Sequence, residues 1–164
     1  MVLQGALLVV HILSAVIWLS IFPAALLFNN FMNKYKGSPG DKKLMLFFIK
    51  LTSTFGMIGM SGILLTGIIM VSILPYYSFF DFSTNHWLAT KQVIMVILMV
   101  LVFAFLIPRA KKITTELTSN LKSNDELQPH FFENVTKMKK IGITANILVL
   151  VNFLLAITHR FFTI

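Results

Sequence analysis

Four long apolar runs, parted by polar stretches, organise this chain: 2–28, 44–74, 88–107 and 141–157. A helix needs about 20 predominantly apolar residues to cross a hydrocarbon core of about 30 Å, and each run approaches or exceeds that length. The first is too long for the apolar core of a signal peptide. No small-residue cleavage pattern follows it, so it is read as retained. Connections between successive runs are short enough to favour an up-down-up-down order. The expected fold is therefore all-α: an integral membrane antiparallel four-helix bundle, formed by a single transmembrane domain over 1–164.

The connections differ in character. The first, 29–43, carries a turn signal at Ser38-Pro39-Gly40-Asp41. The second, 75–87, is rich in rings that suit a membrane–water interface: Tyr76, Tyr77, Phe79, Phe80, Phe82 and Trp87. The third, 109–140, is the longest and most polar, and its first part can extend the third helix into water. Ser123, Asn124 and Asp125 then suggest a break, and Pro129 suits the first turn of a new helix. Glu133 and Lys137, spaced i,i+4, support a helical lead-in to the fourth span.

Composition agrees with a bilayer as solvent. The chain is 57% hydrophobic and only 12% charged, about half the charge of an ordinary soluble domain. Its net charge of +8 is gathered in short clusters beside the apolar runs, as membrane-flanking charge is, so nucleic acid is not an expected partner. The first connection holds Lys34, Lys36, Lys42 and Lys43. The third holds Arg109, Lys111, Lys112, Lys122, Lys137, Lys139 and Lys140, whereas Arg160 alone falls on the opposite side. An excess of Lys and Arg on the cytoplasmic side then puts both termini and the aromatic loop outside, in a cell or inner membrane.

Polar groups inside a bilayer are costly, so each asks for a reason. Gln4, His11, Ser14 and Trp18 share one face of the first span, with His11 about 13 Å below its start at 1.5 Å per residue. Ala145, Val149, Asn152, Ala156 and His159 form a similar stripe in the fourth. Trp87 and Lys91 are i,i+4 neighbours at the start of the third, where the ammonium can lie against the indole. In the second, Gly56, Gly59, Gly62 and Thr66 form a small-residue face, which packing alone would explain. The expected topology gathers His11, His86, His159, Lys91 and Arg160 in the outer half.

Two histidines from facing helices, His11 and His159, can supply both axial ligands of a haem b. Trp87, Lys91 and Arg160 would line the same site, the two cations beside the propionates. The alternative metal is copper, bound by His11, His159 and His86, with Met57–Met60 and Met95–Met99 as soft pairs; methionine also serves as a core filler. The absence of cysteine removes thiolate metal sites, iron–sulfur clusters and covalent c-type haem. No P-loop, dinucleotide fingerprint, nucleophile elbow or H-E-x-x-H motif is present, and no carboxylate lies inside a span. A third alternative is a cofactor-free accessory subunit of a larger membrane complex.

The sequence His11-Ile12-Leu13-Ser14-Ala15-Val16-Ile17-Trp18, together with His86-Trp87-Leu88-Ala89-Thr90-Lys91, resembles the four-helix membrane proteins of the HemJ-type protoporphyrinogen oxidases. It equally resembles the CopD-like copper-resistance and DUF2269 membrane proteins, to which Thr66-Gly67, Pro108-Arg109 and Ala145-Asn146 add further likeness. The HemJ-type resemblance implies a haem-b-binding oxidase that needs a first-helix His and a third-helix Lys. Those roles carry over to His11 and to Lys91, the latter as a catalytic candidate. The family's Arg-x-Phe-Asn-Glu-x-Pro-like stretch is replaced here by Phe131-Phe132-Glu133-Asn134-Val135-Thr136. The wider resemblance implies a bundle concerned with haem or copper, with a redox partner or a larger membrane complex.

Overall fold

The computed structural model describes residues 2–34, 40–123 and 127–162, with side chains at all of these except 33, 123 and 159–162. Ser38 and Pro39 of the first turn signal, and Asn124 and Asp125 of the expected break, lie outside the described residues. The described part is helical, without a strand: α1 (Val2–Leu19), α2 (Ile21–Lys34), α3 (Asp41–Ile73), α4 (His86–Val100), a π-helical segment Leu101–Leu106, α5 (Ile107–Ser123) and α6 (Pro129–Phe162).

Four helices are long and apolar enough to cross a membrane: Val2–Met32, Asp41–Ile73, His86–Lys122 and Pro129–Thr158. Only 11–22% of the residues in their most apolar stretches are buried within the protein. The rest of that surface needs lipid, since water would leave it exposed at about 25 cal/mol per Å².

Proline sets most of the boundaries. Leu74 adopts an extended conformation (φ −99°, ψ 117°) because it precedes Pro75, and α3 ends there. Pro129 occupies the first turn of α6, where its missing N–H costs nothing. Pro23 cannot donate to the Leu19 carbonyl, and the chain breaks step between α1 and α2 at Ser20. Pro108 follows the end of the apolar run at 107 but does not end the helix. The helix continues through it to Ser123, and the turns before it widen: the Ile107 amide donates to the Val102 carbonyl, five residues back. Arg109 steadies this stretch, its Nη1 donating to the Phe105 carbonyl at 3.1 Å. Most of the expected connection 109–140 is thus helical.

α1 lies along α3, with rising numbers on one meeting falling numbers on the other. Glycine permits the approach. A Cβ at Gly59 would sit 2.9 Å from the Ser14 carbonyl oxygen, and one at Gly62 would sit 2.8 Å from Ser14 Cβ. α1 also touches α6, α6 touches α4 and α5, and α5 touches α3, whereas α3 and α4 share no packed face.

The interior has two parts. One joins Trp18, Met60, Leu98, Val102, Ala145 and Val149. The other, where the helices outrun the apolar stretches, joins Ile49, Ile113, Leu117 and Phe131. At this basic end Lys42 donates to the buried Asn120 at 2.5 Å, His130 pairs with Glu116 at 3.2 Å, and Phe28 stacks on Phe48 with centroids 3.8 Å apart.

Candidate functional site at the loop end

His11 is partly buried between α1 and α3. Its Nδ1 lies 2.8 Å from Thr66 Oγ1. The single hydroxyl proton of Thr66 is committed to its own helix, 2.5 Å from the Gly62 carbonyl. With that proton on the Gly62 carbonyl, the threonine oxygen accepts from the imidazole, which favours the Nδ1–H tautomer, and the Ile63 backbone also lies within hydrogen-bonding reach of the ring. Gly67 keeps space beside the ring: a Cβ there would stand 3.6 Å from His11 Cε1.

The stripe on the first span faces inward from His11 onward. Ser14 and Trp18 are buried, while Gln4 is exposed near the helix start. Ser14 returns its hydroxyl to the Val10 carbonyl at 2.7 Å. Trp18 donates its indole N–H to Asn146 Oδ1 at 3.2 Å, a buried link to α6. The stripe on α6 also faces inward, with Ala145 and Val149 buried and Asn152 and Ala156 partly so.

Lys91 lies within electrostatic range of His11. Its Nζ is 5.4 Å from the Trp87 ring centroid, and that ring meets Tyr77 edge-on. Among the described residues no carboxylate pairs with Lys91, since the ion pairs of this chain stand at the basic end. Of the group expected in the outer half, Lys91 on α4 stands within electrostatic range of His11 on α1, and Asn152 reaches the Lys91 carbonyl from α6, 3.4 Å away. The next residue, Gln92, accepts from the Phe80 amide at 2.6 Å and ties the loop to this turn. Gln92 Nε2 and Asn152 Oδ1 are buried without a partner.

His159 and Arg160 belong to α6 by backbone, and their side chains lie outside the described residues. His86 is exposed at the start of α4. No group of three or more His, Cys, Asp or Glu side chains suited to a metal occurs among the described residues. The Met57–Met60 pair is split: Met60 is buried in the core, whereas Met57 is 59% exposed. Met95 and Met99 pack against the same core. Met60, Met95 and Met99 act as filler here, because a flexible unbranched side chain fits the gaps between helices.

The loop is an ordered cap. Asp81 accepts from the Ser83 amide (3.0 Å) and hydroxyl (2.6 Å), from the Thr84 amide (3.1 Å) and from the Thr84 hydroxyl. Asn85 Nδ2 donates to the Tyr76 carbonyl at 3.0 Å. Thr66, Asn146 and Gln92 were the partners that spacing along single helices did not supply. For Thr66 and Asn146 the signal was a polar residue inside an apolar run, and for Gln92 its place next to Lys91.

No family model, no curated protein and no solved structure matches this chain.

Proposed function

We propose that this chain is a small integral membrane protein that binds haem b at the loop end of an antiparallel four-helix bundle, for electron transfer or porphyrinogen oxidation. The observation that carries the proposal is the setting of His11: its Nδ1 lies 2.8 Å from Thr66 Oγ1, and Lys91 stands within electrostatic range of the ring; in the tautomer that donates through Nδ1, Nε2 would be the ligating nitrogen. Oriented imidazoles of this kind serve as metal ligands, their second nitrogen fixed by an outer hydrogen bond. Haem bound there supplies one-electron redox chemistry.

His11 and His159, on the neighbouring helix α6, would be the two residues that hold the haem iron. Lys91 would face a propionate, with Trp87 covering its stem, and Arg160 would offer a second cation. Lys91 would also be the group that the HemJ-type resemblance asks for, here as a positioning cation. The basic end, rich in lysine, would lie in the cytoplasm, with both termini and the aromatic loop outside.

The test is haem and copper analysis of one purified sample made with both supplied. About one haem per chain, with no copper, is the expected result. Copper without haem would move the site to the CopD-like reading, and neither would favour an accessory subunit.

A further inference from the structure

The basic end carries a feature that haem binding does not use. Lys50 directly follows Ile49, Lys111 and Lys112 precede Ile113, and Lys139 and Lys140 follow Met138. Ile49, Ile113 and Met138 all pack into the second hydrophobic cluster. Five cations from three helices are therefore held at nearly one level, around the point where the apolar stretches give way to polar helix. All five are exposed. None has an ion-pair or hydrogen-bond partner among the described residues, and the nearby carboxylates are already taken: Glu116 by His130 at 3.2 Å and Glu133 by Lys137 at 2.5 Å.

Five ammonium groups gathered near one level repel one another, and no ion pair among the described residues relieves that repulsion. Lys50 sits on a helix whose adjoining residues, such as Phe47 at 62% exposed, present apolar surface outward. The ring thus stands where acyl chains end and headgroups begin. Phosphodiester anions at this depth would neutralise it, and each lysine near an anionic surface is worth about fivefold in affinity.

We propose that Lys50, Lys111, Lys112, Lys139 and Lys140 form a belt that binds anionic phospholipid headgroups in the leaflet facing the basic end, and that the bound lipid stabilises the helical extension beyond the bilayer. The second cluster fixes the belt's geometry, so binding strengthens the packing of α3, α5 and α6 against one another.

The experiment titrates the full chain in mild detergent with short-chain phosphatidylglycerol, short-chain phosphatidylcholine or inorganic phosphate, and follows the melting temperature. Phosphatidylglycerol should raise it saturably, and the other two should not. Replacing four cations together (Lys111→Gln, Lys112→Gln, Lys139→Gln, Lys140→Gln) should raise the half-saturating concentration by at least about tenfold. Lys122→Gln, about three turns further along α5, should leave it unchanged. In the unaltered chain, raising the salt to about 0.5 M should suppress the phosphatidylglycerol effect, which makes the test independent of how the variant folds. An equal response to phosphatidylcholine or to phosphate, a salt-independent effect, or a wild-type response from a folded quadruple variant would overturn the belt. Haem content does not enter any of these readings.

Discussion

A histidine inside a bilayer needs a partner for its N–H, and His11 finds one 55 positions away in Thr66. Thr66→Val removes the acceptor while keeping the shape, so the ring loses its fixed orientation. Haem affinity should fall about 10- to 100-fold, and Thr66→Ser should restore it; titration of the apoprotein with haem measures both. The two orphaned amide atoms make an opposite case. A buried acceptor without a donor costs about 1–3 kcal/mol, so Asn152→Leu should be neutral or stabilising in a thermal melt despite losing its long contact to the Lys91 carbonyl. A clear loss would mean that Asn152 has a partner in the working protein.

Asp81 shows how a single side chain organises a loop. Hydrogen bonds from the Ser83 and Thr84 side chains and from the Thr84 amide hold its carboxyl below the usual carboxylate range. A depressed folded-state value means that the contribution is complete above the unfolded value near 3.9 and is lost only as pH falls through the lower folded one. Protection of the Ser83 and Thr84 amides from hydrogen exchange, corrected for intrinsic rates, should hold from about pH 7 down to about pH 4. At this scale the inward face of α1 was legible, because His11, Ser14 and Trp18 repeat at helical spacing. The pairing of His11 with Thr66 was not, since hydrophobicity is nearly uniform around both helices and carries no register between them.

Between elements, α1 and α3 meet through glycine. A methyl group at Gly62 would overlap the Ser14 side chain, whose Cβ, 2.8 Å away, cannot rotate out of its path. Gly62→Ala should cost about 1–3 kcal/mol, the usual range for overpacking, and Ser14→Gly in the same chain should recover part of it. Chemical unfolding in detergent measures the difference. The small-residue face in the sequence therefore read correctly as packing. Prolines were equally visible, but their effect depends on what stands around them. Pro75 ends a helix because the polar loop follows. Pro108 does not, because Arg109 and a widened π turn satisfy the freed carbonyls and α5 still has Ile113 and Leu117 to bury.

As a whole, the molecule is longer than the membrane it is built for. The stretch His86–Lys122 has 37 residues, about 55 Å at 1.5 Å per residue, against a hydrocarbon core of about 30 Å. The excess forms the second cluster, which the sequence showed only as a polar connection able to extend the helix, because its apolar residues are sparse and pair across helices. The four spans were legible from run length alone. The orientation proposed from lysine placement is open to a direct check, since the chain has no cysteine of its own. Ser83→Cys should react with a membrane-impermeant maleimide on intact cells, and Thr118→Cys should react only after lysis.

Ligation by His11 is tested most directly by a reduced-minus-oxidised absorption spectrum of the purified chain beside its His11→Ala variant. The first should show a b-type haem spectrum and the second its loss or a change of ligation, with helical content preserved in both. A haem spectrum untouched by His11→Ala, or none in either protein when haem is supplied, would contradict it.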